Sequence, residues 1–155
     1  MKKMNNKGFS LVELIIVIAI MAVLIGVLAP QYMKYVEKSR VSADKDVLDS
    51  VYNALTIAAS DPDVTSGVPA TGTTSLGAIT IGTVDTDFGY NVAETLAVTD
   101  FNDVAKKLKS KAGKAISGAA TGINVEVDAN GNFTVYLGTK NGTTDQDITV
   151  GAGAQ

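Results

Sequence analysis

Residues 7–30 read KGFSLVELIIVIAIMAVLIGVLAP. Residues 14–29 are all apolar or glycine, and counted from Phe9 the run reaches the roughly 20 residues that a helix needs to cross a bilayer. One carboxylate, Glu13, stands inside it. A charge within a membrane segment costs about 2.5–3.5 kcal/mol at mid-bilayer, and less near an end, so Glu13 calls for a neutralising partner.

Two ordinary readings compete for this segment. A secretory signal peptide has a basic start, a short apolar core and a small-residue cleavage site, which Val27, Leu28 and Ala29 would supply. The length of the run and the presence of Glu13 speak against it. A plain membrane anchor accommodates the length but leaves Glu13 unexplained. In either orientation argument Lys2, Lys3 and Lys7 precede the span, so the N-terminus stays in the cytoplasm and the remainder is exported.

The order Lys7, Gly8, Phe9, Ser10, Leu11, Glu13, apolar run and Pro30 resembles the head of type IV pilins, with a class III prepilin-peptidase signal. The resemblance covers about residues 1–58. It implies a leader over residues 1–8, a transmembrane and filament-core helix over 9–30, and a globular domain over 31–155 that includes the second half of the long helix. It implies cleavage between Gly8 and Phe9, N-methylation of Phe9, and a Glu13 that faces the N-terminal amine of a neighbouring subunit in a filament. Implied partners are other copies of the chain in a helical homo-oligomer, prepilin peptidase, a pilus assembly ATPase and a platform protein. The protein would wait as a single-pass protein in the cytoplasmic membrane and then enter a surface pilus serving adhesion, twitching motility or DNA uptake. A pseudopilin of a type II secretion or competence system shares these first residues and is the alternative.

Composition bounds the remainder. With 155 residues and 46% hydrophobic content, the chain is long enough for one modest domain plus a membrane segment. It has no cysteine, unlike the many Gram-negative pilins that close a C-terminal loop with a disulfide, and in this it is Gram-positive-like. Stability therefore rests on packing rather than a covalent staple. The formal net charge is −3, and loss of Lys2, Lys3 and Lys7 would make the exported part more acidic still. That balance argues against whole-surface attraction to nucleic acid.

Helical patterning continues past the apolar run. Residues 31–60 lack glycine and proline, and Val47, Leu48, Val51, Tyr52, Leu55 and Ala58 recur on one face. Lys45, Asp46, Asp49 and Asn53 lie opposite, with Arg40 and Asp44, and Lys45 and Asp49, spaced as i,i+4 pairs. A helix over residues 9–59 would be roughly 75 Å long at about 1.5 Å per residue. Pro30 lacks an N–H and its ring crowds the carbonyl of Gly26, so residues 26–30 are expected to kink or unwind.

Residues 61–90 are rich in Gly, Thr, Ser and Pro and read as an exposed loop with one or two weak strands, the best of them over 78–84. Asp100, with Phe101, Val104, Ala105, Leu108 and Ala112, predicts a capped second helix of about 12–16 residues. Its outer face carries Lys106, Lys107, Lys109, Lys111 and Lys114, without the interleaved aromatics of a single-strand binder, and reads first as a solvated face. Ile123, Val125 and Val127 alternate with polar residues, as do Phe133, Val135 and Leu137, around the turn formed by Asp128, Ala129, Asn130 and Gly131. Ile148 and Val150 add a third strand after Asn141 and Gly142. The expected class is α+β, the type IV pilin fold: a long helix whose C-terminal half lies on a small antiparallel sheet.

Catalytic readings fare poorly. There is no histidine to serve as a neutral-pH base and no cysteine to serve as nucleophile. Asp128, Asn130 and Asn132 alternate as in a calcium loop, but Gly131 falls at the fourth position rather than the sixth and no glutamate follows at the twelfth. No catalytic residue, metal or cofactor is assigned. Tyr32 and Tyr35 sit just beyond the apolar run, where interfacial aromatics anchor a span.

Overall fold

The computed structural model describes residues 9–142 and 147–154. Helix α1 runs Leu11–Ser60. The chain divides into two compact units, one ending at Val36 and one comprising Glu37–Gln155. In the first unit the described chain is almost entirely helix, and its apolar side chains are exposed, Phe9, Leu14 and Ile18 among them. Among the described residues α1 is the one helix long and apolar enough to span a membrane, with a best-window mean hydropathy of 3.1.

The second unit is built on the other part of α1. Leu48, Val51, Ala54, Leu55 and Ala58 are buried, and Val47 and Tyr52 are half-buried against them. This is the stripe that the helical spacing predicts. The helix stops at Ser60 because Pro62 disfavours helical backbone at Asp61. Asp61 then turns the chain, its Oδ1 accepting the Asp63 N–H at 2.9 Å and its carbonyl the Val64 N–H at 3.2 Å.

Four strands, β1 Gly72–Ser75, β2 Asn124–Val127, β3 Phe133–Leu137 and β4 Ile148–Gly151, form an antiparallel sheet in the order β1-β2-β3-β4. Val125, Val127, Phe133, Val135, Leu137, Ile148 and Val150 are buried in one hydrophobic cluster with the α1 stripe, as the alternation requires. Helix and sheet approach closely at β4, where a Cβ on Gly151 would lie 2.8 Å from the ring of Tyr52. The β2–β3 turn is held by Asp128, whose Oδ1 accepts the Asn130 and Asn132 N–H groups, each at 2.8 Å.

Three expectations need correction. The weak strand lies at Gly72–Ser75, not over residues 78–84. In the latter stretch Ile79 is buried and Ile81 half-buried as irregular chain, so the apolar run marks packing without a strand partner. A helix absent from the sequence reading, α2 Phe88–Thr95, begins at Asp87, whose Oδ1 accepts the Tyr90 N–H at 3.2 Å. Its Phe88 ring stacks on Phe133 with centroids 6.0 Å apart. The expected 12–16-residue helix after Asp100 is two short helices, α3 Asn102–Ala105 and α4 Lys111–Ala115, separated at residues 108–110.

Candidate assembly site

Two groups of residues on α1 carry its polar chemistry, one in each unit. In the first unit, Phe9 precedes the helix and Glu13 lies in its first turn. The carbonyl of Ser10 accepts the Leu14 N–H at 3.2 Å, so the helix is hydrogen-bonded from Ser10 onward. A carboxylate in the first turn complements the partial positive charge of the helix N-terminus. Beyond that, Glu13 makes no hydrogen bond or ion pair among the described residues. Gly8 and the rest of the leader, residues 1–8, lie outside the described residues.

Gly26 and Pro30 both lie inside continuous helix, and no unwound stretch interrupts α1 between them. Pro30 donates nothing to the Gly26 carbonyl, so one helical hydrogen bond is missing there. A Cβ on Gly26 would meet nothing within 4 Å. Tyr32 and Tyr35 are each 69% exposed.

The second unit treats its acids differently. Asp44 is fully buried, and its Oδ1 and Oδ2 accept the backbone N–H groups of Lys109 at 2.7 Å and Ser110 at 2.9 Å. Glu37, also buried, accepts the Lys111 N–H on Oε1 at 2.6 Å. Three successive backbone donors are thus turned toward α1, which they could not be within an uninterrupted helix. The chain consequently leaves α3 and restarts as α4, with Ser110 as the cap: its Oγ accepts the Gly113 N–H at 3.0 Å. Gly113 must be small here, because a Cβ would come within 2.7 Å of Asp44 Oδ2.

The spacing had suggested that Arg40 pairs with Asp44. Instead Arg40 reaches Glu37 at 3.7 Å, while Asp44 serves backbone donors. Lys45 and Asp49 form no ion pair among the described residues. A signal for the clamp was present in the sequence. Glu37 and Asp44 fall two turns apart in the register continued by Leu48, Val51, Leu55 and Ala58, so they occupy the buried stripe and not the wet face.

Outside the clamp, Lys106 bonds Asp103 at 2.8 Å, and that hydrogen bond raises the Lys106 pKa above its usual value. The backbone hydrogen bond from Asn102 lowers that of Asp100.

Residues 3–29 match the family described as the prokaryotic N-terminal methylation motif. Over 149 residues, 94% of this chain and 88% of the relative, the chain is 29% identical to the type IV major fimbrial protein FimA of Dichelobacter nodosus strain VCS1703A. Another FimA of Dichelobacter nodosus is 48% identical over 40 residues, 26% of each chain. No solved structure matches. With the methylation motif at its head, fimbrial similarity along nearly its whole length, and a long N-terminal helix and a four-stranded antiparallel sheet, the chain is similar to the type IV pilins and has their α+β fold.

Proposed function

We propose that this chain is the structural, major-type subunit of a surface filament and acts by assembly, not catalysis. Prepilin peptidase removes residues 1–8 between Gly8 and Phe9, and the new amine of Phe9 is methylated. The subunit then waits in the cytoplasmic membrane, anchored by residues 9–30, until an assembly ATPase and platform protein move it into a helical pilus. The observation that carries this reading is Glu13, a carboxylate without a partner among the described residues, one turn from Phe9 in an exposed apolar helix. Its counterion is the Phe9 ammonium of a neighbouring copy. Apolar side chains pass from lipid to a bundle of like helices, so the hydrophobic gain on assembly is small, and packing together with this charge pair sets subunit register.

The missing hydrogen bond at Pro30 and the freedom of Gly26 make residues 26–30 the stretch where α1 gives way on assembly. Adhesion, motility and DNA uptake are the tasks such a filament serves.

Intact mass and N-terminal sequencing of protein sheared from the cell surface test the reading. The expected first residue is N-methylated Phe9, and a start at Met1 or after Ala29 removes the filament argument. Glu13→Ala is expected to leave membrane levels unchanged while lowering sheared filament at least about tenfold, the scale of one lost desolvated charge pair. Filaments at normal yield from that variant would refute the pairing.

A further inference from the structure

Charge on the second unit is separated along the chain. Residues 46–105 contain no lysine or arginine, while carboxylates recur through them, including Asp46, Asp49, Asp63, Asp85, Glu94 and Asp103. Residues 106–114 then contain five lysines and no acid. Among the described residues only Lys106 of these is paired, with Asp103. Lys107, Lys109, Lys111 and Lys114 are exposed and form no ion pair among the described residues. The same is true of Asp63, Asp85 and Glu94.

The lysine segment is also held in place. A solvated charge run needs no anchoring of its backbone, yet here three consecutive N–H groups, those of Lys109, Ser110 and Lys111, are fixed by the buried carboxylates of Asp44 and Glu37. Leu108, Ser110, Ala112 and Gly113 are buried beneath, so the intervening lysines are displayed outward from a fixed base. Less side-chain and backbone freedom is then lost when the patch meets a partner.

We propose that this lysine patch docks on the exposed carboxylates of the acidic segment, Asp63, Asp85 and Glu94 among them, of a second copy of the chain. The argument for a second copy is charge complementarity: the chain itself carries, on separate segments, both halves of the match. Because the two surfaces differ, the contact is heterologous. Such a contact repeats from copy to copy, building an open helix or a ring in place of a closed two-fold dimer. The inference builds on the filament reading and gives it a second contact, formed by the exported unit and independent of Glu13.

The test uses the full chain in cells that process it. Since the chain has no cysteine, co-expressing a Lys111→Cys copy with an Asp85→Cys copy allows only engineered crosslinks. The expected result with a short bis-maleimide is a mixed adduct between the two variants, in membranes as well as in sheared material. Absence of the mixed adduct, or a dominant Lys111→Cys self-adduct, overturns the proposal whether or not filaments form. In parallel, reversing Lys107, Lys111 and Lys114 to Glu is expected to lower sheared filament at least about tenfold through like-charge contact, with yield recovering when Asp63, Asp85 and Glu94 are changed to Lys in the same chain. Normal yield from the lysine reversal refutes the docking and leaves the filament reading standing. Normal yield with lost retention of labelled DNA also refutes it and assigns the patch to a polyanion.

Discussion

The two parts of helix α1 each carry acids and treat them in opposite ways. In the part before Val36, Glu13 has no partner among the described residues and the apolar side chains around it are exposed. In the part from Glu37 onward, two acids are buried, each bonded to backbone N–H groups, and the apolar stripe is closed by the sheet. Where the apolar stripe and two acids find partners within the chain, the helix belongs to a domain. Where the apolar side chains stay exposed, the helix presents a surface suited to lipid or to other chains.

The sharpest way to break that comparison is truncation. A fragment beginning at Gln31 is expected to be soluble, with the circular dichroism of mixed helix and sheet and one cooperative thermal transition. Aggregation of that fragment would mean that the second unit depends on the first for its fold.

Asp44→Ala comes next in size. It leaves the Lys109 and Ser110 N–H groups without their charged acceptor, and hydrogen bonds to charged groups contribute about 1.5–3 kcal/mol each, so a loss of about 3–6 kcal/mol is expected in denaturant unfolding. Asp44→Asn keeps one acceptor and is expected to cost roughly half as much. A neutral Ala variant would show that the clamp does not hold the lysine segment.

Apolar substitutions along the one helix sharpen the contrast further. Leu55→Ala, in the core, is expected to destabilise the second unit by about 2–4 kcal/mol, whereas Ile18→Ala, in the exposed part, is expected to stay within about 0.5 kcal/mol. Equal effects would erase the distinction between the two parts.

The smallest effect is expected at the β2–β3 turn. The side-chain hydrogen bond from Asn132, followed by backbone N–H groups, holds the Asp128 carboxyl below its usual 3.8. A lowered folded pKa means stability that is fully present above pH 3.8 and is lost as pH falls through the folded value. Asp128→Ala should therefore lower the melting temperature slightly at neutral pH, with the difference from the parent shrinking below pH 3.8. A difference independent of pH would locate the effect in the backbone.

Local patterns were readable where a residue's role depends on its neighbours in sequence. The apolar run with Glu13, the period of residues 47–58, the alternation of β2, β3 and β4, and the Asp128 turn all express short-range geometry, and the structure contains each of them. Alternation cannot report which short segment finds a strand edge. Hence β1 formed from two threonines beside β2, while the more apolar residues 78–84 packed without pairing.

By itself the sequence determined that the chain carries a span-length helix and a hairpin-based sheet, because periodicity and turn chemistry act over a few residues, and its head resembles that of the pilins. Only the tertiary structure decided which donors Asp44 and Glu37 meet, and so where the expected second helix divides, at Ser110. Those hydrogen bonds join positions 65–74 residues apart, and a buried carboxylate seeks donors wherever the fold brings them.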